Sequence, residues 1–133
     1  DGHHVAWENT RIAARALPDR LCLVTDAMRS LEGAVTEFEI AGKHIRLEDG
    51  KLTDKTGTLS GAHIAMDTCV RNMVRQDVVP LEQALMMASG NPARALGLGD
   101  ELGKIEVGYR ASLTLLDNDL HAAGVVVDGT HFS

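Results

Sequence analysis

The sequence has few aromatic residues, no excess of basic residues and no long hydrophobic run. Aromatic side chains make up 3% of the 133 residues and the net charge is −6, so we expect no basic or stacking surface for nucleic acid. No segment approaches the roughly 18 consecutive apolar residues of a membrane span, and no basic region followed by an apolar core opens the chain, so we expect no signal peptide. We therefore expect one modest domain that binds neither nucleic acid nor membrane.

The chain also has few cysteines and does not begin with methionine. Cys22 and Cys69 both lie in apolar segments, which favours buried, reduced thiols and a cytoplasmic location. The first residues, "DGHHVAWENT", contain no initiator methionine and no lead-in. The sequence therefore reads as part of a longer protein.

The first half of the chain predicts a helix, a strand and hairpins. The Ala- and Arg-rich residues 8–17 favour a helix that Pro18-Asp19 ends. Residues 21–25, "LCLVT", are nearly all apolar and predict a strand buried on both faces. The alternating text "EFEIAGKHIRLEDGKL" predicts a hairpin around Ala41-Gly42 and a second turn at Asp49-Gly50.

Three helices are predicted after residue 57. Ser60 is predicted to cap a helix whose apolar residues, 66 to 74, recur at helical spacing. Pro80 opens a second helix. In "SGNPARALGLGD", Asn91 is predicted to cap a third helix that Gly97 ends.

The chain closes on short strands. "SLTLL" and "GVVVDGTHF" favour strands, with a hairpin turn at Asp128-Gly129. The order of elements predicts an α/β protein. A solitary buried strand at residues 21–25 is not a sheet, however, and it needs neighbouring strands that this chain does not supply.

Asp26 is the first candidate for chemistry. It follows the strand predicted at residues 21–25, and in α/β barrels the catalytic groups lie at the carboxyl ends of parallel strands. The alternative is a strand-end aspartate that bonds its own backbone in a turn. Position alone favours the turn slightly.

His4 is the second candidate. His3 and His4 are adjacent, so in an extended chain their side chains point to opposite faces and only one can face a site. The alternative is a pair of surface residues. No two histidines have the His-x-His or His-x-x-x-His spacing of a metal site, so the chain does not encode a complete metal centre.

The stretch "TGTLSGAHIAMD" is the third candidate. A turn that contains glycine and serine before a helix exposes backbone N–H groups, which suits a polar ligand. The alternative is an ordinary helix cap.

These stretches, in this order, resemble the C-terminal part of the N-acetylglucosamine-6-phosphate deacetylases of the amidohydrolase superfamily. The resemblance rests on "DGHH", "LCLVTDAM", "GTLSG", "AMDTCVRNMV", "MMASGNPARALGL" and "GKIEVGYRASLTLLD", and it covers nearly the whole chain. Ser112 departs from a frequent Ala-Asp-Leu pattern, and Ala62-His63 replaces the small or hydroxyl residues common after "SG".

The resemblance implies the C-terminal part of a TIM (β/α)8 barrel of amidohydrolase type plus strands of a small β-sandwich domain. Residues 1–34 and 58–102 would form the barrel segment, with the end of strand seven, strand eight and helices. Residues 35–57 would form a β-hairpin region, and residues 103–133 would belong to the small β domain.

The resemblance also implies roles for individual residues. Asp26 matches the catalytic aspartate, and His4, rather than His3, matches a histidine that contacts the substrate. Leu59, Ser60 and Gly61 match a loop whose backbone contacts the sugar phosphate. A divalent metal, with zinc as the expected ion, would be held mainly by residues absent from this chain, with Asp26 as a possible contact.

The implied reaction is removal of the acetyl group from N-acetylglucosamine 6-phosphate, which gives glucosamine 6-phosphate and acetate. The intact enzyme would be a cytoplasmic homo-oligomer, and this chain alone would be inactive. Two rivals remain open at this point. One is another amidohydrolase, such as a deaminase or cyclic amidase, and the other is a non-catalytic assembly fragment.

Overall fold

The computed structural model describes residues 1–33 and 35–132, and the backbone but not the side chain of Glu32. The predicted domain boundary at residue 34 and the chain end at residue 133 lie outside the described residues. The helices are α1 (Trp7–Ala16), a 3-10 helix (Arg29–Glu32), α2 (Met66–Arg75), α3 (Leu81–Ala88) and α4 (Gly90–Ala95). The strands are β1 (Glu37–Ile40), β2 (Lys43–Glu48), β3 (Lys51–Asp54), β4 (Leu59–Ala62), β5 (Leu113–Leu116), β6 (Ala122–Val127) and β7 (Thr130–Phe132).

Strands β1 to β4 form an antiparallel meander. The chain reverses at Ala41-Gly42 and at Asp49-Gly50, and all four of these residues have positive φ. Alternation places Phe38, Ile45 and Leu52 on one face, where they are buried together. The two predicted turns are therefore confirmed.

The segment that we expected to cap a helix is instead a strand. Leu59–Ala62 is β4, it pairs with β3, and the next helix begins only at Met66, with Ala65 as its N-cap. Ser60 caps nothing: its Oγ lies 3.5 Å from the carbonyl oxygen of Thr58. The prediction of a Ser60 cap is wrong because the pairing with β3, which local sequence does not encode, extends the backbone here.

Helices α1, α2 and α3 share one hydrophobic core. Ala14 of α1, Val70 and Met73 of α2, and Ala84 and Met87 of α3 are buried in it. Burying a methionine side chain contributes roughly 1.5–3 kcal/mol, so this layer is a major source of stability. The helical spacing of apolar residues predicted α2, and Pro80 predicted the start of α3; both predictions are confirmed.

Residues 21–25 are not the predicted strand. Ala27 and Ala62 make a single parallel bridge beyond them, but residues 21–25 pair with no other strand in the described part of the chain. Val24 is 77% exposed, so the segment is not buried on both faces. The prediction fails because a ladder needs an adjacent strand, and the segment packs on helices through one face.

Two hydrogen bonds hold this segment to the helices. The Leu23 N–H donates to the carbonyl oxygen of Met87 at 2.8 Å. Nδ2 of Asn91 donates to the carbonyl oxygen of Leu21 at 2.7 Å. Asn91 therefore lies within α4 and anchors the segment rather than capping the helix as predicted, and Ser89 is the N-cap residue.

Strands β5 to β7 form a second antiparallel sheet, with the predicted turn at Asp128-Gly129 between β6 and β7. The side chain of Arg71 on α2 donates to the carbonyl oxygen of Leu120 at 2.8 Å, which ties this sheet to the helices. Helices and two small sheets confirm an α/β protein. The division into domains remains a prediction. Within the described residues, no helix is long and apolar enough to cross a membrane.

Candidate active site

A cavity of about 310 Å³ lies between the N-terminal residues, the segment at residues 21–26, the end of β4 and α2. Both His4 and Asp26 line it, although 22 positions separate them in the sequence. Apolar side chains, among them Trp7, Leu23 and Met73, make up most of the remaining wall. The fold therefore brings two of the predicted site residues to one concave surface.

Asp26 lies at a bend of the backbone. Its φ is +49°, in the left-handed region that aspartate tolerates better than most residues. The Ala62 N–H donates to the Asp26 carbonyl oxygen at 2.8 Å, and the Met28 N–H donates to the Ala62 carbonyl oxygen at 3.0 Å. These bonds fix the bend through the main chain.

The carboxylate of Asp26 is not used to build that bend. The side chain that accepts a local backbone bond is Thr25, whose Oγ1 lies 3.3 Å from the Ala27 nitrogen. Asp26 is exposed, and no hydrogen bond joins its carboxylate to the residues that the structure describes. The carboxylate is therefore free to meet a ligand in the cavity.

His4 is held by Asp1. The backbone N–H groups of His3 and His4 donate to Asp1 Oδ1 at 3.0 and 3.2 Å. The second carboxylate oxygen, Oδ2, lies 2.6 Å from Nδ1 of the His4 ring. One aspartate thus fixes both the backbone turn and the ring of His4.

His3 and His4 lie in different surroundings. His4 lines the cavity, whereas His3 does not. Partial burial lowers the pKa of His3, and the nearby positive charge of Lys51 lowers this pKa further. The structure thus places one of the two histidines at the cavity, and the role of His4 there stays a prediction.

Leu59, Ser60 and Gly61 run beside Asp26 but do not line the cavity; the next residue, Ala62, does. Gly61 has φ +72°, and a Cβ atom there would collide with the Met28 side chain and lie 3.2 Å from the Asp26 carbonyl oxygen. Glycine at this position lets β4 approach the Asp26 bend closely.

The cavity contains polar residues that the sequence did not single out. Asn72 of α2 lines it within the "VRNMV" text, one turn along the helix from Cys69. Asp1 was not singled out from the sequence either. Its spacing from His4, Asp-x-x-His, could have indicated an aspartate that bonds the backbone of the following turn. Burial raises the pKa of Cys69, so its thiol stays protonated near neutral pH, and both cysteines are free.

His63 does not line the cavity, although its neighbour Ala62 does. Its Nδ1 lies 3.1 Å from the hydroxyl of Ser30, which is fully buried. The bond ties the end of β4 to the 3-10 helix that follows Asp26. The departure from the family pattern at Ala62-His63 is thus accommodated by a specific partner.

The side chains that line the cavity do not form a metal site by themselves. In residues 1–33 and 35–132 there is no group of three or more His, Cys, Asp or Glu side chains that could hold a metal ion. A metal in a protein usually takes at least three such ligands.

Comparison with known proteins identifies the family. The family model described as "Amidohydrolase family" matches residues 1–131. An N-acetylglucosamine-6-phosphate deacetylase of Haemophilus influenzae is 36% identical over 132 residues, which cover 97% of this chain and 34% of the relative. An N-acetylgalactosamine-6-phosphate deacetylase of Escherichia coli O157:H7 is 33% identical over 129 residues, 97% of this chain and 34% of the relative. A shorter chain from Escherichia coli K12 is also 33% identical, and the match covers 77% of it.

Solved structures give the same result. N-acetylglucosamine-6-phosphate deacetylase from Pasteurella multocida superposes with a TM-score of 0.96 at 39% identity, over 100% of this chain and 35% of that one. A variant of the Mycobacterium smegmatis deacetylase in complex with N-acetyl-D-glucosamine-6-phosphate superposes with a TM-score of 0.88 at 32% identity, over 98% of this chain and 35% of that one. The chain spans about a third of the length of these structures and of the Haemophilus relative, and it belongs to the amidohydrolase family.

Proposed function

We propose that this chain forms the corresponding part of a longer enzyme that removes the acetyl group from N-acetylglucosamine 6-phosphate. The supporting observation is the cavity that contains both His4 and Asp26, in a chain that superposes on such a deacetylase with a TM-score of 0.96. In this proposal residues 1–34 and 58–102 belong to a TIM barrel, residues 35–57 form a β-hairpin region, and residues 103–133 belong to a small β domain.

Asp26 is the proposed proton carrier. Hydrolysis of an amide requires attack of water on the carbonyl carbon and a proton for the departing nitrogen. The carboxylate of Asp26 would take a proton from the attacking water and pass it to the glucosamine nitrogen as the C–N bond breaks. Acetate and glucosamine 6-phosphate are the products.

His4 and the end of β4 would hold the substrate. The ring of His4 would hydrogen-bond the sugar from the wall of the cavity, and the backbone of Leu59, Ser60 and Gly61 would contact the sugar phosphate. β4 is tied to the bend at Asp26 through Ala62, so substrate contacts and the carboxylate would be positioned by one pair of backbone bonds.

A metal completes the proposal. Deacetylases of this family are generally metal-dependent, and a bound divalent ion, with zinc as the expected ion, lowers the pKa of its water toward about 7. We place its ligands mainly outside this chain, with Asp26 as a possible contact. We also propose that the longer enzyme is a homo-oligomer and acts in the cytoplasm.

The test is acetate release from N-acetylglucosamine 6-phosphate. The longer enzyme that contains this sequence should release acetate when supplied with zinc, and the isolated 133-residue chain should not. The proposal is wrong if the longer enzyme leaves this substrate intact. Release of acetate by the purified chain would refute the placement of the metal ligands outside it.

A second substrate has support from the comparisons. The relative from Escherichia coli O157:H7 is named for N-acetylgalactosamine 6-phosphate, which differs from the glucosamine compound in the orientation of one hydroxyl group. Measuring kcat/KM on both sugars separates the two. A higher value for the galactosamine compound would favour this second candidate.

A further inference from the structure

We propose that Asp1 is a positioning residue for His4. Asp1 fixes the imidazole ring of His4 and keeps the proton of the neutral ring on Nδ1. The role of His4 at the substrate rests on the proposed function, but the tautomer and orientation of its ring do not. The inference is carried by the two-oxygen contact of Asp1 within the wall of the cavity.

The geometry of the turn explains how one side chain controls the ring. Gly2 has φ +78° and lies against Trp7, where a Cβ atom would fall 2.8 Å from the indole. This conformation folds the chain back, so that Oδ1 of Asp1 accepts the N–H groups of His3 and His4. With the backbone fixed, Oδ2 is left 2.6 Å from the ring nitrogen.

The chemistry of the pair selects one tautomer. An ionised carboxylate only accepts hydrogen bonds, so Nδ1 of His4 must be the donor and carry a proton. The second proton of a charged ring would go on Nε2. Neutral His4 therefore offers a lone pair at Nε2 to a ligand in the cavity, and it donates from Nε2 only when charged.

The chain contains a matched comparison outside the cavity. Asp117, in the turn between β5 and β6, accepts the N–H groups of Asp119 and His121 at 2.9 and 2.8 Å, much as Asp1 does. Its other oxygen, however, lies 3.5 Å from Nδ1 of His121. Asp117 thus makes the turn without the short contact to the ring.

The test is the ring-nitrogen NMR spectrum of the 133-residue chain labelled with ¹⁵N. In the unsubstituted chain, neutral His4 should show the proton on Nδ1. Asp1→Asn keeps an oxygen for the turn but turns an NH₂ group toward the ring, so the proton should move to Nε2. Asp1→Ala should lose the preference, and Asp117→Asn should leave His4 unchanged.

These outcomes decide the proposal. A proton on Nε2 in the unsubstituted chain, or no change between the chain and Asp1→Asn, would overturn it. In the longer enzyme, Asp1→Asn should lower kcat roughly tenfold or more, whereas Asp117→Asn should not. If the longer enzyme releases no acetate, the proposed function fails, while the ring spectra still report on Asp1 by themselves.

Discussion

Two aspartates of this chain have opposite surroundings. Asp67 on α2 accepts hydrogen bonds from the Thr68 N–H at 2.6 Å, from Arg71 at 2.9 Å and from the Ala122 N–H at 3.2 Å. The carboxylate of Asp26 is exposed at the cavity and accepts none from the described residues. We refer to Asp67, Thr68, Arg71 and Ala122 as the Asp67 cluster.

The difference separates a structural carboxylate from one available for chemistry. Partial burial pushes the pKa of Asp67 upward, but the bonds from Arg71, Ala122 and Thr68 outweigh it and hold this pKa below its ordinary value. A carboxylate saturated in this way is a poor proton acceptor for a ligand. No residue that the structure describes donates to the Asp26 carboxylate, and the backbone of Asp26 rather than its side chain secures the fold.

The largest effect should come from opening the Asp67 cluster. The side chain of Arg71 is 10% exposed, and it also serves the carbonyl oxygen of Leu120. Arg71→Met removes the partner of a largely buried carboxylate, so we expect the free energy of unfolding to fall by about 3 kcal/mol. Urea denaturation of the chain and of the variant measures this difference in the free energy of unfolding.

The control is Arg110→Met. Arg110 pairs with Asp128 at 2.9 Å, but the two side chains are 51% and 58% exposed, so the loss should be less than about 1 kcal/mol. Equal losses in the two variants would show that the Asp67 cluster contributes no more than a surface ion pair.

A smaller effect is expected beside Asp26. Gly61→Ala places a Cβ atom against Met28 and strains a residue with φ +72°, which should cost about 2–3 kcal/mol. Gly57 has φ +82° and open space around it, so Gly57→Ala should cost only about 1 kcal/mol. Thermal unfolding of both variants gives the difference, and equal losses would show that β4 does not press on the Asp26 bend.

The smallest effect is a change in acid sensitivity. The folded pKa of Asp67 lies below its ordinary value of 3.8, so its stabilisation is complete well above pH 4 and is lost as the pH falls below that value. Asp67→Asn should therefore flatten the loss of stability between about pH 4 and pH 2. Urea midpoints measured across this range test it, and parallel curves for the two proteins would contradict it.

The sequence predicted the elements that depend on local patterns. Helix α2 follows from apolar residues at helical spacing, α3 from Pro80 at its start, and the turns of the meander from Ala41-Gly42 and Asp49-Gly50. The extended segment at residues 21–25 was misjudged because its partners are Met87 and Asn91, more than 60 positions away. No local pattern reports such contacts.

The candidate site was predicted by resemblance more than by position. The position of Asp26 after a predicted buried strand favoured a turn residue. The φ of +49° does place Asp26 at a backbone bend, but no bond from its carboxylate to the described backbone forms that bend. Asn72 was missed because its neighbours in the cavity lie on other elements, whereas Asp1 was missed although its partner His4 is only three residues away. The roles of all these residues remain predictions.

The most direct measurement compares Asp26→Asn with Asp67→Asn in the longer enzyme that contains this chain. For Asp26→Asn we predict that kcat for acetate release falls roughly a hundredfold or more while Tm stays near its original value. For Asp67→Asn we predict a lower Tm and a kcat close to the original. Near-normal turnover by Asp26→Asn would contradict the account.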